Sequence, residues 1–127
     1  LVPGNKHYSW RKAANIFGLG EDSFWSVALD AEGRLDLGDF ERLVLSAEAK
    51  GRPVLMAVSV AGTTDTGEID PVDRLHDLLE QWERERGWRI WRHVDAAYGG
   101  FLCSLIGGLA VDMPEPGFVA PSVKLAI

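Results

Sequence analysis

The chain has one cysteine, Cys103, among 127 residues. A single thiol excludes an internal disulfide and any cysteine-built metal framework, and it fits a reducing, cytoplasmic setting. Lysine and arginine form no run, and 13 basic residues stand against 19 acidic ones for a formal charge of -6. That balance argues against nucleic acid or a membrane surface as partner, because both recruit clustered positive charge. The densest charged stretch, Glu80-Gln81-Trp82-Glu83-Arg84-Glu85-Arg86, mixes signs and reads as a solvated helix face. No apolar run is long enough to span a bilayer, and no signal-peptide pattern opens the chain.

What is present is an ordinary globular balance, 46% hydrophobic and 25% charged. A chain of this length buries roughly two-thirds of its unfolded surface, enough for one core. It opens on Leu1-Val2-Pro3-Gly4 and closes at Ile127 in a helix-like stretch. Residues 1–127 are therefore expected to be part of one domain, truncated at both ends.

Short apolar runs alternate with amphipathic helices. Trp10, Ala13, Ala14 and Phe17 fall at helical spacing after Ser9, a good N-cap, and Gly18 closes the segment. Residues 24–29 read as a strand. Asp36 caps a helix whose stripe is Leu37, Phe40, Val44 and Ala47, ending at Gly51. Residues 53–60 are nearly all apolar, as in a strand buried on both faces of a parallel sheet. Asp70-Pro71 reads as a cap followed by a first-turn proline, opening a helix with Val72, Leu75, Leu78, Leu79 and Trp82 on one side and Gly87 at its end. Residues 88–95 are the next strand. This alternation predicts an α/β fold, a mostly parallel sheet with flanking helices.

Ligands of such sheets sit at the carboxyl ends of the strands, which here are Val60 with the loop after it and Asp95 with the turn after it. Asp95 is either the cap of that turn or an anion placed for a cationic group on a ligand. Ala97 offers a small side chain where a flat ring can lie close, and Gly99-Gly100 leave the backbone unobstructed. Thr64 is a candidate ligand-facing hydroxyl in the loop 62–70. Three carboxylates in that loop match no calcium spacing, so no metal site is expected. His7 precedes the first helix, His76 reads as solvated, His93 as packed, and Cys103 as a small buried hydrophobe.

Taken in order, His7-Tyr8-Ser9 with Lys12-Ala13-Ala14, then Gly62-Thr63-Thr64 with Gly67 and Asp70, then His93-Val94-Asp95-Ala96-Ala97-Tyr98-Gly99-Gly100 resemble the group II pyridoxal-phosphate decarboxylases. These belong to the fold-type I, aspartate-aminotransferase-like superfamily, and the resemblance runs from about Lys6 to about Gly100. The bacterial tyrosine-decarboxylase-like branch is the most similar, through Lys6-His7-Tyr8-Ser9-Trp10. The resemblance implies part of a pyridoxal 5'-phosphate-binding large domain and an amino-acid substrate, tyrosine or glutamate, converted to its amine and carbon dioxide. It implies a homodimer for the full-length protein. It also implies that His7 stacks on one face of the cofactor ring and Ala97 packs on the other. Asp95 would pair with the pyridine nitrogen and Thr64 would lie beside the ring substituents, His7 and Asp95 being the catalytic pair. A carboxylate beside a ring nitrogen favours its protonated form by roughly 1–3 pKa units.

The lysine that holds the cofactor in this family lies in a His-Lys pair, and none of Lys6, Lys12, Lys50 and Lys124 follows a histidine. The chain alone is therefore expected to be inactive. The family's Gly/Ser-rich phosphate-binding segment is absent as well. Two other readings compete. One is a carbon–carbon lyase of the sphingosine-phosphate-lyase type; the other is a non-catalytic α/β module, which the fold alone would permit.

Overall fold

The computed structural model describes residues 1–102. In chain order the elements are β1 (Val2–Pro3), α1 (Ser9–Ile16), a 3-10 turn (Glu21–Ser23), β2 (Ser26–Val27), α2 (Leu37–Ala49), β3 (Met56–Val60), α3 (Val72–Arg86) and β4 (Trp91–Asp95). β1 pairs with β2 and β3 with β4, both parallel. Leu1 stitches the two pairs together: its nitrogen donates to the Met56 carbonyl at 2.8 Å, and its carbonyl accepts from the Val58 amide at 2.9 Å.

The two long helices form as their spacing dictates. Asp36 is extended, and its carboxylate accepts from the Asp39 amide at 2.9 Å, a cap contributing about 1 kcal/mol. Phe40, Val44 and Ala47 then fall on the buried face of α2, as Val72, Leu75, Leu79 and Trp82 do on α3. Gly87 ends α3 in the left-handed conformation, where a Cβ would be strained. The helices meet over Val27, Leu35 and Ala57. Phe40 stacks on Trp82 at 6.2 Å, and Trp88 meets Trp82 edge-on at 5.6 Å. Burying a side chain such as Phe40 completely contributes about 1.5–3 kcal/mol.

Three sequence expectations are corrected. The strand expected over 24–29 pairs only at Ser26–Val27, because other partners claim its backbone. The Ala28 amide donates to Asp39 Oδ2 at 2.8 Å, and Leu29 forms an antiparallel bridge with Leu35 across the turn at Asp30–Arg34. Ser9 is not the cap of α1 but its first residue, and Phe17, expected on the buried stripe, is 74% exposed. Asp70 does not cap α3 with its side chain. Its carboxylate turns inward and accepts from the amides of Leu35 and Val60, both at 2.7 Å.

That inward turn of Asp70 positions the site. It clamps the end of β3 to the segment before α2 and closes the loop 61–70 on itself, where Ala61 and Ile69 form an antiparallel bridge. The register Val60↔Asp95 then brings the ends of β3 and β4 side by side. Among the described residues, no helix is long and apolar enough to cross a membrane.

Candidate active site

At these paired strand ends lies a cleft of about 280 Å³, lined by Asn5, His7, Ser9, Val60, Gly62, Thr63, Thr64, Asp95, Ala97 and Tyr98. All four residues singled out from the sequence, His7, Thr64, Asp95 and Ala97, are in this lining. Two larger or equal cavities lie elsewhere: a 420 Å³ groove at the opposite end of β3 and β4, around Arg52 and Trp88, and a second of about 280 Å³ beside β1. Neither contains a constellation of polar side chains at the carboxyl ends of the strands, where α/β sheets hold ligands.

The turn after β4 is pressed against the loop after β3. The Gly99 amide donates to the Ala61 carbonyl at 3.0 Å. A Cβ on Gly62 would lie 2.8 Å from Gly99 Cα, and a Cβ on Gly99 would collide with the Ala61 carbonyl. Glycine at both positions lets the two backbones touch and sets the floor of the cleft.

Asp95 ends β4, half-buried, and its carboxylate is held from two sides. Oδ2 accepts from the Trp10 indole Nε1 at 2.8 Å, and Oδ1 accepts from the Ala97 amide at 3.3 Å. The turn-cap and ligand-facing readings of Asp95 are thus compatible. A carboxylate offers about four lone-pair sites, so two donors leave capacity toward the cleft.

His7 is half-buried at the start of α1. Its Nδ1 accepts from the Ser9 amide at 3.3 Å and lies 2.9 Å from the Ser9 hydroxyl. An amide can only donate, so the neutral ring carries its proton on Nε2. The imidazole itself satisfies a first-turn amide of α1, the task expected of Ser9. Thr63 is buried, with its hydroxyl paired to that of Thr66 at 2.8 Å and accepting from the Glu68 amide at 3.0 Å. Thr64 is exposed on the rim.

His93 packs edge-on against Trp10 at 5.3 Å. His76 departs from the solvated expectation: it is half-buried, its Nε2 lies 3.4 Å from Glu80, and its Nδ1 is buried without a partner among the described residues. Cys103 and Lys124 lie outside the described residues. Sequence reasoning gave Trp10 no role at the site, placing it on an apolar stripe and in the stretch that resembles the tyrosine-decarboxylase-like branch. An indole so near a family-like His-Tyr-Ser motif was the available signal, but its partner is 85 residues away.

A flat cationic heterocycle fits this lining. An imidazole and a methyl group border it, a carboxylate lies beside it, and Asn5 Oδ1 is a buried acceptor with no partner among the described residues. No lysine or arginine is in the lining, so these residues suit a pyridine ring and not its phosphate.

The arrangement, a parallel α/β sheet with its polar cleft at the carboxyl ends of the strands, is that of a cofactor- or substrate-binding domain. The family model described as the pyridoxal-dependent decarboxylase conserved domain matches residues 2–115. The chain belongs to that family, whose cofactor is pyridoxal phosphate. It is 41% identical to the L-tyrosine decarboxylase of Levilactobacillus brevis over 83% of this chain and 17% of that protein. It is 39% identical to the L-2,4-diaminobutyrate decarboxylase of Rhizobium meliloti over 80% of this chain and 19% of that protein. Among solved structures it matches the glutamate decarboxylase domain of a diaminobutyrate-pyruvate transaminase and L-2,4-diaminobutyrate decarboxylase from Vibrio parahaemolyticus. That match has a TM-score of 0.72 at 32% identity, over 86% of this chain and 23% of that one. The chain thus spans about a fifth of the length of the curated relatives it matches, and its fold is the aspartate-aminotransferase-like one.

Proposed function

We propose that residues 1–127 are the ring-binding part of a larger cofactor domain, and that the complete protein decarboxylates an L-amino acid, with tyrosine the first substrate to test. The observation that carries this reading is the meeting of His7, Thr64, Asp95 and Ala97 on one cleft, from segments up to 90 positions apart. When bound, the cofactor supplies an electron sink for the bond to the departing carbon dioxide.

The chain's own residues prepare that sink. Asp95 would hold a proton on the pyridine nitrogen by placing a negative charge beside it. His7 and Ala97, both on the lining of the cleft, would hold the two faces of the ring. His7 Nε2 is the atom free to carry a proton near that face, because Nδ1 is engaged by α1. Thr64 presents a hydroxyl to the ring substituents. The preference for tyrosine rests on the identity to a tyrosine decarboxylase and on the Lys6-His7-Tyr8-Ser9-Trp10 stretch.

The test is product analysis on the complete, cofactor-loaded protein with L-tyrosine, L-glutamate, L-aspartate and L-2,4-diaminobutyrate. Amine and carbon dioxide should form in equal amounts, fastest from tyrosine. An aldehyde from a phosphorylated amino alcohol would assign the protein to the carbon–carbon lyases. Cofactor binding without turnover of any amino acid would overturn the decarboxylase reading.

A further inference from the structure

We infer that Trp10 is a positioning residue: its indole N–H fixes the Asp95 carboxylate in the orientation that faces the pyridine nitrogen. The inference rests on the proposed decarboxylase reading and goes beyond it, since the resemblance assigns nothing to Trp10.

The geometry is specific. Trp10 Nε1 donates to Asp95 Oδ2 at 2.8 Å, joining the second residue of α1 to the last residue of β4. The indole cannot swing away easily, because it packs edge-on against His93 at 5.3 Å and lies 6.3 Å from Phe24 at a tilt. The Ala97 amide engages the other carboxylate oxygen, at a longer 3.3 Å. Together the two donors hold both carboxylate oxygens, and the shorter bond is the indole's. An indole nitrogen is a donor only, so it always presents a proton to Asp95 and never competes with it for the ring's proton.

The same turn of α1 carries both controls on the ring. His7 lies just before Ser9 and turns its imidazole toward the cleft, while Trp10 reaches the carboxylate at the ring's edge. A shift of α1 therefore moves the stacking group and the charge together. This coupling would explain a tryptophan placed three residues after His7, where its ring is only half-buried.

The test uses the complete, cofactor-loaded protein and its ligand-free form. Trp10→Phe keeps an aromatic ring, though a smaller one, and removes the N–H. Trp10→His restores a donor, since histidine Nε2 occupies the same place on the five-membered ring as indole Nε1. For Trp10→Phe, kcat should fall roughly tenfold, the order expected for losing one hydrogen bond to a charged group, while KM changes little. Trp10→His should recover part of that loss despite its smaller area. In an Asp95→Asn background Trp10→Phe should have almost no further effect, because residues acting through one contact are not additive. Cofactor affinity should follow the same pattern, and in ligand-free protein the Trp10 indole proton resonance should move on Asp95→Asn.

Equal, additive losses in both backgrounds, or a Trp10→His variant worse than Trp10→Phe, would reduce Trp10 to packing. If Trp10→Phe cannot be purified folded, an indole resonance unmoved by Asp95→Asn overturns the inference. If Asp95→Asn itself leaves kcat and cofactor affinity unchanged, the decarboxylase reading of the cleft fails, and that result is distinct from silence at Trp10.

Discussion

Asp70 and Asp95 are both carboxylates at the rim of one sheet, yet they face different surroundings. Asp70 is 3% exposed and accepts two backbone amides at 2.7 Å. Burial pushes its carboxyl up from the ordinary value of 3.8, against the pull of the Leu35 and Val60 amides. A folded-state value above the unfolded one means that the folded form binds the proton more readily. Stability from this group is then fully present below 3.8 and is lost as pH rises through the folded value. Asp70→Asn should lower the urea midpoint, because an amide offers one acceptor where two amides need one each; the orphaned donor costs about 1–3 kcal/mol. The deficit should narrow as pH rises through that window, since only the wild type titrates there. Parallel urea melts across pH check this, and a deficit constant with pH would contradict it.

The sequence pointed to both aspartates but misread one. Asp70-Pro71 has the composition of a helix start, and a local pattern cannot show that the carboxylate bonds Leu35, 35 positions back. The place of Asp95 at the end of β4, on the lining of the cleft, was legible because the apolar run before it marks a strand. Its partner Trp10 was not, for the same reason of distance along the chain. Ser9 does not act as the cap because the helix already begins at it, and the His7 imidazole two residues upstream satisfies the Ser9 amide instead.

At the scale of elements, α2, α3, β3 and β4 were readable because each has enough residues to show a period or a continuous apolar run. β1 has two residues, too few for any pattern, and of the strand read over residues 24–29 only Ser26–Val27 pairs, with β1. The contact between the loop after β3 and the turn after β4 is where this architecture is least tolerant. Gly62 has φ of +89°, and an added Cβ would sit 2.8 Å from both the nitrogen and the Cα of Gly99. Gly62→Ala should therefore force the two strand ends apart, at a cost of about 1–3 kcal/mol for the backbone conformation alone. Cofactor affinity should fall more steeply than thermal stability, because the displaced backbone carries Thr64 on one side and Ala97 on the other. Fluorescence titration with pyridoxal phosphate beside a thermal melt would separate the two effects. A melting point that falls while affinity holds would place the strain outside the cleft.

In the molecule as a whole, the proposed ring site draws on both ends of the described chain, from His7 before α1 to Ala97 after β4. On the proposed function, Asp95 supplies the charge that holds the cofactor's ring nitrogen protonated. The direct measurement is carbon dioxide release by Asp95→Asn in the complete protein, compared with cofactor loading in the same preparation. Asparagine is nearly isosteric, so β4 should survive and the cofactor should still bind. Losing roughly 1–3 pKa units of preference for the protonated ring removes about 1.4–4 kcal/mol. If most of that acts in the transition state, turnover should drop by tens- to about a thousandfold. A variant that binds cofactor and releases carbon dioxide at the wild-type rate would contradict the account and leave Asp95 as the cap of the turn after β4.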